Sequence, residues 1–520
     1  MALAIALSLT VGSAGFSPPN LPPVPNTVDS ITPTELRMHL QFLASDELGG
    51  RYTLSPSFAI AARYLAAHLE AYGFRGAGDN GSFLQAFEVV SGKPNAADTT
   101  LTLTVGDRAA DFHFGDFYPY NAVSTANAQG AIVFAGTGIS SPSQKRDDYA
   151  GLDVKGKIVL ITSGTAAGID SSRLGANEQG EGAARVHGAV GVLQVPSQRA
   201  ADFLRSNSSR QRASRETVRL AADADGKIPV LNLGPDLAEK LLSLAGLNLK
   251  TVWDAASKKQ VLESRPLPEA SARIAVAVLQ TRTTTQNVAG ILEGSDPQLR
   301  NEYVVFSAHY DHLQTGPEGE IYHGADDDGS GTTAVLAIAR AMSLNRPKRS
   351  VLVVFHAGEE LGLLGSEYNT DYAPVVPLDK LVVDLNIDMI GRSKPAGDDN
   401  LADEHLTDAN TVYLVGSNRI SQELHQISEE TNSQFQRMKL DYYYNDPSNP
   451  ERIYFRSDHW SYAKHGVPII FYFDGTHADY HKPTDTVDKI DFTKLTQITR
   501  LVFETGWRIA NLDHRLTKTN

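Results

Sequence analysis

Two uninterrupted apolar runs, Tyr303-Val304-Val305-Phe306-Ser307-Ala308 and Ser350-Val351-Leu352-Val353-Val354-Phe355, constrain this chain most. Neither alternates polar with apolar residues, so each reads as a strand buried on both faces of a parallel sheet. Between them, Thr332 to Ser343 is rich in alanine and leucine and fits the crossover helix that parallel strands require. The expected fold class is therefore α/β, with a mixed, mostly parallel central sheet flanked by helices. Open sheets of this kind gather ligands outside the carboxyl ends of their strands.

The chemistry-bearing residues follow such strands. His309-Tyr310-Asp311 closes the first run, Gly324-Ala325-Asp326-Asp327-Asp328-Gly329-Ser330-Gly331 precedes the helix, and Glu359-Glu360 follows the second run. Asp388 stands in Asn386-Ile387-Asp388-Met389, and His481 in Tyr480-His481-Lys482-Pro483. A lone His-x-Asp or a pair of glutamates is weak. Together these residues supply two imidazoles and enough carboxylates for two zinc ions sharing one ligand. The chain has no cysteine, so disulfides and thiolate zinc sites are excluded and a metal must be held by nitrogen and oxygen. One aspartate of Asp326-Asp327-Asp328 can bridge, while His309 with Asp388 and His481 with Glu360 cap the two ions. Three ligand carboxylates and a bridging hydroxide would balance two divalent cations. Asp311, two residues after His309, is expected to accept the other ring N–H and fix the tautomer. Glu359 then remains free to act as general base.

At 520 residues, two or three domains are expected. The net charge of −14 is offset by no basic domain, which argues against a nucleic-acid partner. Ala2 to Ala14 is apolar and too short for a comfortable span, and residues 1–16 read as a cleaved signal peptide, although no Lys or Arg precedes them. No later stretch is long and apolar enough to cross a bilayer, and an exported (periplasmic or secreted) protein is expected. Ser17 to Pro25 reads as an extended linker. Thr32-Pro33-Thr34-Glu35 forms a capping box before a helix carrying Leu36, Leu40 and Leu43, stopped by Gly49-Gly50. A second helix from about Ser57 to Tyr72 is expected to turn Ile60, Tyr64, Leu65 and Leu69 inward. Residues 121–260 alternate short apolar strands with glycine turns and carry no histidine–carboxylate cluster, so they read as a mainly β accessory domain. Within them, Gln198 to Arg219 reads as a mobile loop.

In its order of motifs the chain resembles the M28 family of zinc peptidases: a His-x-Asp, a Gly-Ala-Asp-Asp-Asp-x-Ser-Gly, a Glu-Glu, an Asp-Met and a late His. Glu359-Glu360-Leu361-Gly362-Leu363-Leu364-Gly365-Ser366, Ser457-Asp458-His459 and Thr484-Asp485-Thr486 carry the likeness further, over about Gln286 to Asp491. The resemblance implies a zinc-peptidase (phosphorylase/hydrolase-like) fold and two zinc ions per chain. It assigns Asp327 as the bridge, His309 and Asp388 to one ion, Glu360 and His481 to the other, and Glu359 as base, with a cis peptide at Asp327-Asp328. Residues 27–120 and 261–515 would form a discontinuous peptidase domain. The inserted block at 121–260 resembles a protease-associated (PA) domain through Asp148 to Val159. The activity implied is that of an aminopeptidase acting on peptides with a free N-terminus. A carboxypeptidase or dipeptidase of the same family, and a non-catalytic receptor-like protein, are the alternatives. His459, Arg456 and Tyr444 are the candidate substrate contacts. His312 and His323 are additional histidines near the site; either could contact substrate, but a structural or exposed role is expected.

Overall fold

The computed structural model describes residues 21–164, 168–169, 174–204, 216–224, 226–446 and 449–519. The expected signal peptide at residues 1–16 lies outside them. The chain divides into two compact units, one of Met1–Ala86 with Gln286–Asn520, the other of Phe87–Thr285.

The first unit is α/β. Its strands include residues 286–292 of β1 (Val278–Leu292), then β2 (Tyr303–His309), β3 (Ser350–His356), β4 (Leu381–Ile387), β5 (Thr411–Val415), β6 (Lys439–Asp441) and β7 (Ile469–Phe473), which lie in the order β1-β3-β2-β4-β7-β5-β6, and the short strand Arg75–Gly76 pairs with β1. The central pairings β3–β2, β2–β4 and β4–β7 are parallel. Antiparallel neighbours flank them at β1–β3 and β7–β5, and β5–β6 is again parallel. Strands β3 and β4 are buried along their whole length, as unbroken apolar runs require when both faces are covered.

Helix α1 (Pro33–Leu43) starts where the capping box places it, with Thr32 Oγ1 accepting from the Glu35 N–H. It ends at Leu43 with Ala44 as its cap, short of the expected stop at Gly49-Gly50; Gly49, with a left-handed φ of 55°, instead closes a separate 3-10 turn at Asp46–Leu48. Helix α2 (Pro56–Ala71) buries Phe58, Ala61, Ala62, Leu65 and Leu69. Ile60 was expected inward but is exposed, because Phe58 sets the buried stripe. Helix α3 (Gly331–Leu344) is the crossover between β2 and β3 and is buried over most of its length, packing on the sheet and against α1 and α2. Helix α5 (Phe492–Asn511), which follows α4 (Gln422–Gln434), packs on α3 and β2. At its closest approach stands Gly506, where an added Cβ would meet the Phe306 ring at 2.3 Å. On the opposite face, Val305, Leu352, Val354, Tyr413, Tyr462 and Phe471 belong to one apolar cluster.

The second unit is built on an eight-stranded mixed sheet. Ala126–Phe134, Ile158–Thr162, Gly191–Val195 and Val230–Leu233 run parallel in its middle, and Arg265–Val276, Thr100–Val105 and Arg108–His113 continue it antiparallel. Helices Pro235–Leu244 and Leu249–Ser257 pack into its core through Leu237, Leu241 and Val252. The unit is thus wider than the expected 121–260, because strands on both sides of that stretch complete its sheet, and it carries helices as well as strands. Gln198 to Arg219 is not wholly loop: it holds a helix at Gln198–Leu204 and a strand from Thr217, and 205–215 lie outside the described residues. Among the described residues no helix is long and apolar enough to cross a membrane.

Candidate metal centre

The carboxyl ends of β2, β3, β4 and β7 open onto one cluster of polar side chains. His309 is the last residue of β2, and Asp388 directly follows β4. Glu359 and Glu360 lie in the turn after β3, and His481 lies in the segment after β7. Asp327 sits in the turn that enters α3, where the Asp327-Asp328 peptide is cis. Met389 and His481 both adopt left-handed φ, 58° and 56°. Such backbone strain in side-chain-bearing residues concentrates at functional sites.

The two oxygens of Asp327 face opposite ways. His309 Nε2 lies 3.4 Å from Asp327 Oδ1 and 3.5 Å from Asp388 Oδ1. His481 Nε2 lies 3.1 Å from Asp327 Oδ2 and 3.1 Å from Glu360 Oε2. Donor atoms on a tetrahedral ion at 2.0–2.1 Å would stand about 3.3 Å apart, so both groups have the spacing of ligand shells. His309 Nε2, His481 Nε2, Asp327 Oδ2 and Glu360 Oε1 have no hydrogen-bond partner although they are buried. Orphaned buried polar atoms converging at these distances fit a cation. His309, Asp327 and Asp388 form one group able to hold an ion, and His312, Asp327 and Glu360 form a second.

The electrostatics agree. Burial alone would lower the His481 imidazole, but the carboxylates of Asp327 and Glu360 raise it to about 10. His309 is likewise raised despite burial, by Asp388 and Glu359 first. Burial pushes the Glu359 carboxyl well above the ordinary carboxylate range, and Glu360, Asp388 and Asp458 add to this against the opposing charge of His309. A carboxyl perturbed in this way by burial and by neighbouring charge marks a candidate proton-transfer group. Glu359 Oε2 stands 4.0 Å from His309 Nε2, and the Glu359 N–H donates to Asp311 Oδ1 at 3.2 Å.

Asp311 differs from expectation. His309 Nδ1 is 3.2 Å from the Asp311 main-chain oxygen, while the carboxylate is 3.7 Å away. That carboxylate is held instead by Thr53 Oγ1 at 2.8 Å and by the Glu359 N–H. It therefore anchors the turn carrying Glu359, and the main-chain oxygen is the one that meets the ring.

A cleft of about 370 Å³ opens beside the cluster, lined by Asp327, Glu359 and Asp388 together with Met389, Ile453, Arg456, Phe471, Phe473, Thr476 and Tyr480. Of the three candidate substrate contacts, only Arg456 lines it. His459 is fully buried, bonds the Tyr454 carbonyl at 2.8 Å and stacks on Phe471. Tyr444 is buried against Tyr413 and Phe473. Both sit behind the cleft wall because short aromatic-rich segments bury rings more readily than they expose them.

Two features depart from the sequence reading: the part played by His312, and Arg51, which went unread. His312 is fully buried, with Nδ1 2.8 Å from Glu360 Oε1. Arg51, also buried, donates to the carbonyls of Leu43, Tyr310, His323 and Gly324. No spacing rule joins Arg51 to residues more than 250 positions away. A second histidine three residues after His309 was the available signal for His312. His323 meets Asp46 through Nε2 at 2.8 Å, outside the cluster.

Among known proteins, the family model of peptidase family M28 matches residues 287–506. The chain is similar to the probable leucine aminopeptidase 2 of Aspergillus oryzae, 38% identical over 111 residues, which are 21% of each chain. It is also similar to aminopeptidase YwaD of Bacillus subtilis, 33% identical over 114 residues, 22% of this chain and 23% of that one. The chain thus spans about a fifth of the length of these curated relatives. Among solved structures, an aminopeptidase from Aneurinibacillus sp. strain AM-1 shares the fold over 95% of this chain and 97% of that chain, with a TM-score of 0.52 at 18% identity. The match over the strands, the crossover helix and the acidic cluster identifies residues 287–506 as a peptidase family M28 domain.

Proposed function

We propose that this protein is a zinc-dependent exopeptidase that removes N-terminal residues from peptides at a two-zinc centre. The observation that carries this reading is the opposed pair of Asp327 oxygens, Oδ1 toward His309 and Oδ2 toward His481. His309 and Asp388 would hold one ion, His481 and Glu360 the other, with Asp327 shared. Zinc bound there supplies Lewis acidity, polarising the scissile carbonyl and easing loss of a proton from water.

The chain's own groups do the rest. Glu359 takes a proton from the attacking water as the new C–O bond forms, and returns it to the amide nitrogen as the C–N bond breaks. Asp311 and Thr53 fix the turn that carries Glu359, so the carboxylate is aimed before substrate arrives. Met389, Ile453, Phe471 and Phe473 offer an apolar wall for one substrate side chain. The relatives' names, leucine aminopeptidase and aminopeptidase, support cleavage at the amino end. We read the unit at 87–285 as the protease-associated insertion, and residues 1–16 as an export signal.

Three forms of one leucyl peptide test the reading on zinc-loaded protein: free at both ends, N-acetylated, and C-amidated. Cleavage of the free and amidated forms, with the acetylated one spared, is expected. Cleavage of the acetylated but not the amidated form would make the enzyme a carboxypeptidase. Failure to cleave any of them would favour a non-catalytic binding protein.

A further inference from the structure

We infer that His312 is an additional zinc ligand, through Nδ1, of the subsite formed by Asp327, Glu360 and His481. The inference rests on the two-zinc reading and deepens it. The imidazole is fully buried, and neither ring nitrogen has a hydrogen-bond partner. A buried polar group left in that state costs about 1–3 kcal/mol, so something is expected to meet it. Nδ1 lies 2.8 Å from Glu360 Oε1 and 3.7 Å from Asp327 Oδ2. Glu360 Oε1 and Asp327 Oδ2 are themselves without partners. The first pair is close enough for a hydrogen bond but is not aligned as one. Two donor atoms directed at a common cation have that relation, and the two distances bracket the spacing of about 3.3 Å for a tetrahedral shell.

The ring cannot turn away from this position. Gly324 has a left-handed φ of 55°, and a Cβ there would meet His312 Cγ at 2.5 Å. The His312 N–H donates to the Arg51 carbonyl at 3.3 Å. The Arg51 guanidinium in turn holds the carbonyls of Tyr310 and Gly324. The ring is therefore clamped between two segments tied to the same arginine, which is how a ligand is pre-oriented.

One consequence is an asymmetric centre. Asp327, Glu360, His481 and His312 would offer one ion four protein donors. His309, Asp327 and Asp388 would offer the other three. Glu359 stands on that side, 4.0 Å from His309 Nε2.

The test is calorimetric titration of zinc into the zinc-free full-length chain, for the wild type and for His312→Ala and His312→Asn. Two sites are expected in the wild type. In both variants one site should keep its affinity while the other weakens by about tenfold or more, the range for disturbed zinc ligation. Unchanged two-site isotherms in both variants would overturn the inference. Should the variants not fold, the zinc-loaded wild-type crystal structure decides: Nδ1 at about 2.0–2.1 Å from zinc supports the ligand, and a separation beyond about 3 Å rejects it. A wild type that binds no zinc would instead overturn the two-zinc reading itself, and His312 with it.

Discussion

Asp485 holds Asp327 by its main chain: Asp485 Oδ2 accepts the Asp327 N–H at 3.2 Å and the Asp326 N–H at 2.9 Å. The carboxylate proposed as the bridge is thus placed by a residue that does not face the cleft. Removing this acceptor should loosen the turn on which both subsites depend. Asp485→Ala is predicted to weaken zinc binding by about 10–100-fold, the range for lost partners of metal ligands. Zinc retained after dialysis against a graded chelator measures this directly.

Arg51 should tolerate no replacement. Its fork meets four carbonyls in a space with no water access. A lysine carries the charge but cannot reproduce the planar geometry. Arg51→Lys is predicted to cost about 3 kcal/mol or more in stability, because buried carbonyls lose their donors. Urea unfolding of zinc-free protein would reveal it as a lowered midpoint.

The close approach of α5 to β2 gives a packing prediction. Gly506→Val would drive methyl groups into the Phe306 ring, which is itself fully buried. Overpacking of this kind costs about 1–3 kcal/mol. A thermal melt should show the loss.

Acid stability depends on a histidine remote from the zinc ligands. Burial lowers the His39 imidazole to about 4, helped by the charges of His68 and Arg340, and its Nδ1 meets the Tyr64 hydroxyl at 2.8 Å. In the unfolded chain the group titrates near 6.5, so the unfolded state takes up the proton first as pH falls. The stabilising contribution is complete above pH 6.5 and is lost between about 6.5 and 4. At pH 5 the loss is about 2 kcal/mol by linkage. His39→Gln keeps an acceptor for Tyr64 but does not titrate. The stability difference between wild type and variant should therefore shift against the wild type as pH falls from 7 to 5, and a constant difference would refute this.

Much of the centre was legible because its residues stand where apolar runs end. His309, Glu359, Glu360 and Asp388 follow β2, β3 and β4 within a few positions, and strand ends in a parallel sheet share one edge. The helix start at Thr32 was legible because a capping box acts locally, and the crossover helix was legible from its alanine and leucine content at 332–343. What stayed hidden was tertiary. Whether His312 faces solvent or the carboxylate cluster depends on Arg51 and Gly324, and no periodicity encodes that. Ile60 and Phe58 compete for the same buried stripe of α2, and only the shape of the neighbouring core decides between them. Tyr444 and His459 looked like pocket residues by composition, yet aromatic packing with Tyr413, Phe473 and Phe471 draws them behind the wall. The accessory unit was under-measured because its sheet is completed by strands from both flanks, a pairing that long-range contact alone defines.

The most direct measurement is the turnover of Glu359→Gln at matched zinc content on a free-amine leucyl peptide. Removing the proton acceptor while keeping the side-chain shape should leave two zinc ions per chain and lower kcat by about 10²–10⁴-fold. Turnover within a few-fold of the wild type, with both ions in place, would contradict the assignment of Glu359 and the chemistry built on it.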